Sequence, residues 1–264
     1  MALMERDQIS LTAQEVARIR RELARPGDGT AGAEDERRFL ATIEKDSPES
    51  MRPYLASRTA FFDDSVTAAQ RDGVFQIVLV GAGYDGRALR FRSPETSFFE
   101  LDHPATQTDK LARLRSLDIA VDDVRFGALD FTCDDAGLVL ASLGHRDDLR
   151  SLFLCEGVTV YLEEPVLRGL LAALRRQAAA GSVLAVNFAV TTGDADFEAQ
   201  SAAWQARLAT LGERPRNRPD REEVLRLLED EGWQPRDLVT PANAEFGARL
   251  SGALFVRAVA SGGC

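Results

Sequence analysis

The sequence predicts an α/β fold with a mostly parallel sheet of seven strands, the last two of which form an antiparallel hairpin. Two observations support this prediction. Short apolar runs rich in β-branched residues alternate with amphipathic helical patterns between residues 73 and 232, and strands that alternate with helices pair in parallel. The last two strand-like runs, 234–240 and 252–260, have no helix between them, so they are expected to pair in an antiparallel hairpin.

Residues 1–72 are predicted to form a helical cap before a sheet-forming domain of residues 73–264. Thr12 and Glu15 have the spacing of a capping box, which predicts a helix over 13–24. Two further helical patterns follow in the cap, over 34–44 and 53–71.

The larger domain is divided by its apolar patterns. The predicted strands before the hairpin are 77–80, 97–102, 124–131, 151–158 and 181–190. The predicted helices are a short one near Asp85 and longer ones over 103–117, 134–143, 163–180 and 220–231. After the fifth strand, residues 191–219 interrupt the alternation and hold one polar helix, 196–211. Long insertions at this edge of a sheet often cover ligand sites, so a lid is predicted, with a surface helix as the alternative.

A glycine-rich turn follows the first strand directly. Gly81 and Gly83 allow the backbone to turn tightly and to approach a ligand. A helix that begins near Asp85 would present its free N–H groups to that ligand. The next strand ends with Glu100 and Asp102 on one face, where a carboxylate can bind ribose hydroxyl groups. This unit predicts a nucleoside site.

The glycines alone do not identify the nucleoside. Gly81, Gly83 and Gly86 also satisfy the G-x-G-x-x-G pattern of dinucleotide sites, so a nicotinamide-dependent oxidoreductase is an alternative. Against this alternative, the sequence lacks an obvious Tyr-x-x-x-Lys pair or a histidine for a hydride-transfer site. Asp130, Glu156 and Asn187 lie near other strand ends and complete the outline of a cleft with the glycines and Asp102.

The composition limits the classes of partner. A net charge of −10 argues against nucleic acid and anionic membranes. No apolar run reaches the roughly 18–20 residues of a membrane span, and the first residues lack a signal-peptide pattern. The three cysteines, Cys133, Cys155 and Cys264, have no metal-site spacing, so we expect no metal and a cytoplasmic location. The oligomeric state stays open.

Four sequence blocks carry a family resemblance: SRTAFFDD over 57–64, VLVGAGYDGR over 78–87, FELDHP over 99–104 and EGVTVYL over 156–162. In this order they resemble the leucine carboxyl methyltransferase family. That family uses S-adenosylmethionine and includes protein phosphatase methyltransferases and bacterial O-methyltransferases of polyketide and other natural-product pathways. The resemblance covers about residues 50–260 and implies a Rossmann-like class I methyltransferase fold. Where the family usually has Asp-Thr-Arg, this chain has Asp85, Gly86 and Arg87.

The resemblance implies cofactor-binding residues. Arg58 would bind the carboxylate of the methionine part, since a guanidinium suits a carboxylate. Gly81 and Gly83 would line the cofactor. Asp102 would hold the ribose hydroxyls, with Glu100 as the alternative.

It also implies residues nearer the reacting atoms. Asp85 would remain at the start of the short helix, and Asp130 would lie near the adenine amino group. Glu156 would approach the methionine ammonium or the methyl-transfer cleft, with Tyr161 behind it. Glu156 and Tyr161 are therefore the catalytic candidates.

The acceptor is expected to be a small-molecule acid or phenol of secondary metabolism. A carboxylate acceptor needs no base, whereas a hydroxyl would benefit from one. His103 is expected to have a structural or capping role, and His145, among charged neighbours, to be solvated. Glu156 could act as a base if burial raised its pKa. The scarcity of bases favours a carboxyl acceptor, and an inactive cofactor-binding partner protein is a further alternative.

Overall fold

The computed structural model describes residues 9–44, 49–192, 202, 205–210, 213–239 and 252–262. The α-helices are α1 (Leu11–Arg20), α2 (Ala31–Ala41), α3 (Arg52–Arg71), α4 (Arg87–Arg90), α5 (Pro104–Ser116), α6 (Ala136–Ser142), α7 (Glu164–Arg176) and α8 (Arg221–Asp230). The strands are β1 (Gln76–Val80), β2 (Ser97–Asp102), β3 (Val124–Ala128), β4 (Ser151–Cys155), β5 (Val183–Ala189), β6 (Trp233–Val239) and β7 (Ala253–Ala260). Single 3-10 turns cover Glu49–Met51 and Thr159–Tyr161.

The strands form one sheet in the order β3-β2-β1-β4-β5-β7-β6. The first five strands are parallel, and β7 runs antiparallel to both β5 and β6. The predicted α/β fold, with its mostly parallel seven-stranded sheet and terminal antiparallel pair, is therefore confirmed. The carboxyl ends of β1, β2, β4 and β5 meet at one edge, which is where ligands bind in sheets of this kind.

Apolar helices cover both faces of the sheet. Alternate residues of β1 explain this arrangement, because Val78 and Val80 enter the core cluster that contains α7 and α8, whereas Ile77 and Leu79 enter the cluster that contains α3. Phe62 of α3 is fully buried in that second cluster. Thus α3, although part of the predicted cap, packs directly on the sheet. The division into residues 1–72 and 73–264 stays a prediction.

The helices α1 and α2 pack on the edge of the sheet domain. Ala17 of α1 and Phe39 of α2 share a buried cluster with Tyr84 and with Leu114 of α5. This cluster holds α1 above the turn that follows β1, because an added Cβ at Gly83 would lie 2.9 Å from the Cβ of Ala13.

Several boundaries differ from the predicted ones. The Thr12 cap was wrong: α1 begins at Leu11, and the Ser10 hydroxyl accepts the capping hydrogen bond from Ala13 N at 3.1 Å. The helix ends at Arg20, earlier than predicted. The strand β4 ends at Cys155 because Gly157 turns the chain with a φ of 70°. Of the predicted helix 196–211, residues 202 and 205–210 are described and helical, and the rest lies outside the described residues.

The expectation that His145 is solvated was wrong. Its ring packs against Phe99 and Phe153, and its Nε2 lies 2.9 Å from the Ser151 hydroxyl. Burial lowers the pKa of His145, so the ring is neutral in the core at physiological pH. His103 instead caps α5, where its Nδ1 accepts from Ala105 N at 3.4 Å.

Candidate active site

A cavity of about 200 Å³ opens at the carboxyl edge of the sheet. Its walls come from β-strand ends, from α1 and α3, and from the described part of the insertion after β5. Among the residues predicted from the sequence, those that line it are Arg58, Gly81, Gly83, Asp85, Asp102, Asp130, Glu156 and Tyr161. Glu100 is the predicted site residue that does not line it.

The turn after β1 fits the predicted role. Gly81 and Gly83 have φ angles of 65° and 49°, a region that side chains disfavour. Gly83 N donates a hydrogen bond to the Asp102 carboxylate at the end of β2, and His103 N donates to the same group at 2.6 Å. Burial raises the pKa of Asp102 despite these two donors. Asp102 is thus fixed against the glycine turn at the cavity wall.

The structure separates the two acids of β2. Glu100 is buried and accepts a hydrogen bond from Lys110 Nζ at 2.6 Å, and the same ammonium donates to the Asp85 carbonyl at 2.5 Å. Burial raises the pKa of Glu100. The Glu100–Lys110 pair ties β2 to α5, whereas Asp102 lies at the cavity.

Asp130 follows β3 and lines the cavity. Its Oδ1 accepts from Thr132 N at 2.9 Å and from the Thr132 hydroxyl at 2.7 Å, which closes a local turn. Asn187 of β5 also lines the cavity, where its Oδ1 accepts from Gly157 N at 2.7 Å. Both side chains therefore hold strand-end turns that shape the wall.

Glu156 lies at the floor of the cavity among three arginines. Its Oε1 accepts from Arg20 at 2.6 Å and from Arg58 at 2.9 Å, and its Oε2 accepts from Arg87 at 2.5 Å. Asp85 shares two of these partners, because it accepts from Arg87 at 2.5 Å and faces Arg20 at 3.2 Å. The floor thus places three guanidinium groups around two carboxylates.

These charges determine the protonation of Glu156. Burial alone would raise the pKa of its carboxyl, but the guanidinium groups of Arg20, Arg87 and Arg58 outweigh burial and hold that pKa well below its ordinary value. The condition under which Glu156 would serve as a base, a raised pKa, is therefore not met. Burial raises the pKa of the Tyr161 phenol, so this group keeps its proton at neutral pH.

The ionic network continues behind the floor. Arg87 donates to Asp63 at 2.7 Å, and Arg25 bridges Asp63 to Glu36 with bonds of 2.7 and 2.6 Å. A Cβ at Gly86 would lie 2.4 Å from the Glu36 Cγ. Glu36 therefore occupies the space that a side chain at position 86 would need, which accounts for glycine in place of the usual threonine.

One buried polar atom of the floor has no partner. Arg20 is 4% exposed and lines the cavity, and its Nε is among the buried atoms of the described chain that lack a hydrogen bond. Such groups cost free energy unless they are satisfied, and they occur where ligands bind. The floor therefore offers an unused hydrogen-bond donor to a ligand.

The cover of the cavity is held by a second group of contacts. Glu213, from the insertion, accepts from Leu11 N at 2.7 Å and from Thr12 N at 3.2 Å, so it caps α1 from outside that helix. Arg207 pairs with Glu15 of α1 at 2.5 Å. The described part of the insertion and α1 thus form one cover.

Comparison with known proteins identifies the family. The family model of leucine carboxyl methyltransferases matches residues 12–175, which is more than half of the chain. The chain belongs to the leucine carboxyl methyltransferase family. The matched range begins in α1 and ends in α7, so it contains the glycine turn, Asp102 and all three arginines around Glu156.

Two relatives of this chain are both named as S-adenosyl-L-methionine-dependent methyltransferases. A candidate S-adenosyl-L-methionine-dependent methyltransferase of Streptomyces avermitilis is 33% identical over 183 residues, which are 68% of this chain and 62% of that protein. One of Parafrankia sp. is 39% identical over 140 residues, which are 52% and 45% of the two chains. The matched part is thus less than two thirds of either relative. These names agree with the predicted enzyme class and cofactor.

Solved structures share the fold. A crystal structure of a candidate methyltransferase from Thermobifida fusca aligns with a TM-score of 0.66 at 16% identity, over 98% of this chain and 97% of that one. Magnesium protoporphyrin IX methyltransferase from Synechocystis, solved with bound S-adenosylhomocysteine, aligns with a TM-score of 0.55 at 13% identity, over 88% and 95%. At these identities the likeness concerns the fold alone.

Sequence reasoning missed several residues of this family member's cavity. Arg20 and Arg87 contact Glu156, but their partners lie 136 and 69 positions away along the chain. Thr12 and Glu213 are likewise 201 positions apart. The sequence around Thr12 indicated that a helix begins nearby, but it did not indicate that the Thr12 hydroxyl binds Glu213.

Neither a candidate membrane helix nor a candidate metal centre occurs in the described ranges. None of the helices described is both long and apolar enough to cross a membrane. Within those same ranges, no group of three His, Cys, Asp or Glu side chains is arranged to hold a metal ion.

Proposed function

We propose that this protein is an S-adenosylmethionine-dependent O-methyltransferase that methylates a carboxylate or hydroxyl of a small molecule, in secondary metabolism of a polyketide-like kind. Family membership and the names of the relatives support the enzyme class and the cofactor. The observation that carries the proposal is the convergence of the glycine turn, Asp102 and the arginine-rich floor on one cavity.

The residues of the cavity fit the cofactor. The unpartnered Arg20 Nε and the neighbouring Arg58 guanidinium suit the methionine carboxylate. The ionised Glu156 suits the ammonium, and Asp102 suits the ribose hydroxyls. Asp130 lines the same cavity, and we propose that it lies near the adenine amino group. When bound, S-adenosylmethionine supplies a methyl group on a positively charged sulfur.

The protein's own contribution is alignment and the exclusion of water. Holding an acceptor oxygen in line with a methyl group can lower the barrier by several kcal/mol. The ionised Glu156 places a negative charge at the floor. The protonated Tyr161 phenol forms a hydrogen bond with Thr12 at the wall. We propose that residues 191–219 act as a lid, since Arg207, Leu208 and Glu213 line the cavity.

The cofactor is tested by calorimetry. S-adenosylhomocysteine should give a saturable isotherm, and NAD should give none. Tight binding of NAD without binding of S-adenosylhomocysteine would establish the oxidoreductase alternative instead. Saturable binding without turnover of any acceptor would indicate a cofactor-binding partner protein.

The acceptor is tested by product analysis. A base-labile methyl ester would identify a carboxyl acceptor, and a base-stable methyl ether would identify a hydroxyl. A methyl group on nitrogen or carbon would refute O-methylation. Deletion of 196–211 should impair acceptor turnover more than cofactor binding, and unchanged acceptor kinetics in a folded deletion variant would refute the lid.

The proposed location is the cytoplasm. The buried Cys155 is a free thiol, which suits a reducing compartment. Cell fractionation with a specific antibody would test this proposal.

A further inference from the structure

A directed chain of hydrogen bonds ends at the cavity wall. The Thr12 hydroxyl donates to Glu213 Oε2, and the Tyr161 hydroxyl lies 3.3 Å from the Thr12 oxygen. All three residues line the cavity. Glu213 comes from the insertion, Thr12 from α1 and Tyr161 from the turn after β4, so the chain joins the cover to the sheet.

The carboxylate fixes the direction of this chain. Glu213 is buried and also accepts from Leu11 N and Thr12 N, and from the Ser10 hydroxyl at 3.2 Å. With four donors directed at it, this carboxyl group acts only as an acceptor. The single proton of Thr12 is therefore committed to Glu213, so the Thr12 oxygen can only accept from its other hydroxyl neighbours, which are Tyr161 at 3.3 Å and Ser10 at 3.4 Å.

The same constraint applies one step further along. A phenol has one proton, and the proton of Tyr161 points to Thr12. Burial and the nearby Glu213 charge raise the pKa of Tyr161, so the phenol is not ionised at neutral pH. The hydrogen-bonding capacity that Tyr161 has left is a lone pair, which can bind only a donor.

We propose that the Glu213–Thr12–Tyr161 chain selects a hydroxyl acceptor, whose proton is donated to the Tyr161 oxygen. This inference rests on the proposed methyltransferase function and narrows its acceptor class. A hydroxyl that donates its proton to Tyr161 keeps its own lone pairs free for the incoming methyl group. As the new O–CH₃ bond forms and the methyl–sulfur bond breaks, the hydroxyl proton would pass to Tyr161, the Tyr161 proton to Thr12 and the Thr12 proton to the Glu213 carboxylate. A carboxylate has no proton to donate, so its oxygen would face the Tyr161 lone pair without a hydrogen bond.

Thr12 and Glu213 are positioning residues in this scheme, and the Glu213→Gln variant tests the direction of the hydrogen bonds in the chain. The two backbone N–H donors of α1 require an oxygen, so the glutamine amide NH₂ would face Thr12. Thr12 would then donate to Tyr161, and Tyr161 would point its proton into the cavity. A near-isosteric change would thus convert the site from one that binds donors to one that binds acceptors.

The experiment measures the ratio of phenol affinity to benzoate affinity, with and without S-adenosylhomocysteine. Binding is followed by the NMR resonance of Cζ in ¹³C-labelled tyrosine, since the chain has only three tyrosines and Tyr161→Phe assigns the signal. In Glu213→Gln the ratio should fall by about tenfold or more, because one hydrogen bond is lost by phenol and one is gained by benzoate. Thr12→Val should lower the ratio by about threefold to tenfold, and Thr12→Ser should restore it.

Glu15→Gln is the matched control for charge. Glu15 is also a buried carboxylate of the cavity wall, but its partner is Arg207 and not the Thr12 hydroxyl. It should change the ratio far less than Glu213→Gln. An equal change in both variants, an unchanged ratio in Glu213→Gln, or no response of the Tyr161 signal to phenol would overturn the inference.

The outcomes separate this inference from the proposed function. Binding of S-adenosylhomocysteine with an unchanged ratio in Glu213→Gln refutes the hydroxyl selection alone. If the ratio of phenol to benzoate affinity falls in Glu213→Gln but the protein does not bind S-adenosylhomocysteine, the methyltransferase proposal is refuted and the hydroxyl selection stands.

Discussion

Replacing Arg87 by methionine should destabilise the protein far more than the same replacement of Arg168. Each guanidinium contacts three carboxylates, but the Arg87 side chain is 0% exposed and the Arg168 side chain is 35% exposed. The partners are Asp63, Asp85 and Glu156 for Arg87, and Glu164, Asp230 and Glu231 for Arg168. The two variants therefore remove the same number of ion pairs and differ in how deeply the arginine is buried.

The magnitudes follow from solvation. Methionine at position 87 would leave three buried carboxylates with one positive charge fewer to compensate them, and removing one partner of a buried ion pair costs about 3–5 kcal/mol. Water and salt compensate for the lost charge at position 168, where the expected cost is at most about 1 kcal/mol. Typical domains are stable by about 5–15 kcal/mol, so Arg87→Met should remove a large part of the total.

Urea unfolding followed by circular dichroism would measure both losses. The midpoint should fall strongly in Arg87→Met and little in Arg168→Met, with an unchanged dependence on urea in both. Thermal melting should show a decrease of roughly 6–20 °C for the first variant and below roughly 4 °C for the second. Equal losses would refute the argument that burial makes the arginine network essential to the fold.

Three further predictions concern the floor and the cysteines. Arg58→Ala should weaken S-adenosylhomocysteine binding about tenfold to a hundredfold in calorimetry, since charge-assisted bonds contribute about 1.5–3 kcal/mol; unchanged affinity in a folded variant would exclude that contact. Because the pKa of Glu156 is lowered in the folded state, its contribution to stability is complete above its ordinary value of 4.5 and is lost as the pH falls below that value. The raised pKa values of Glu100 and Asp102 have the opposite effect, so urea unfolding at pH 7 and pH 4 is compared between the unsubstituted protein and Glu156→Gln. The unsubstituted protein should lose more stability at pH 4 than the variant, and the same change in both would contradict the prediction. In a variant whose C-terminal cysteine is replaced, a thiol reagent should modify the exposed Cys133 in the native protein and Cys155 only after unfolding. The reason is that Cys155 is buried and burial raises its pKa to about 12. Rapid modification of both cysteines in the native protein would refute this prediction.

The fold was predictable because its signals are local. The apolar run of β1 is buried along its whole length, as its composition indicated. Asp220 and Glu223 form a reciprocal capping box at the start of α8, within the predicted helix 220–231. The start of α1 was misjudged because the sequence offers both Ser10 and Thr12 as caps, and Glu213 engages the Thr12 hydroxyl from a distant part of the chain.

The site was predictable only where its residues follow a strand. Gly81, Gly83 and Asp102 lie at strand ends, whose convergence is a property of any parallel sheet. Arg20 belongs to the predicted helix 13–24, and nothing in the sequence marked it as a site residue. His145 has three charged residues after it in sequence, yet tertiary packing places its ring between two phenylalanines. Burial of polar groups depends on partners that periodicity does not reveal.

The floor and the cover of the cavity have different physical tasks. At the floor, three guanidinium groups hold Glu156 and Asp85 ionised, and the unpartnered Nε of Arg20 suits an anionic group of a bound ligand. That arrangement makes Glu156 a poor base, so it contributes little to the choice between acceptors. In the proposed selection, the acceptor is chosen at the wall, where Thr12 of α1 and Glu213 of the insertion orient the Tyr161 hydroxyl. Specificity can therefore change through α1 and the insertion while the buried network that stabilises the fold stays the same.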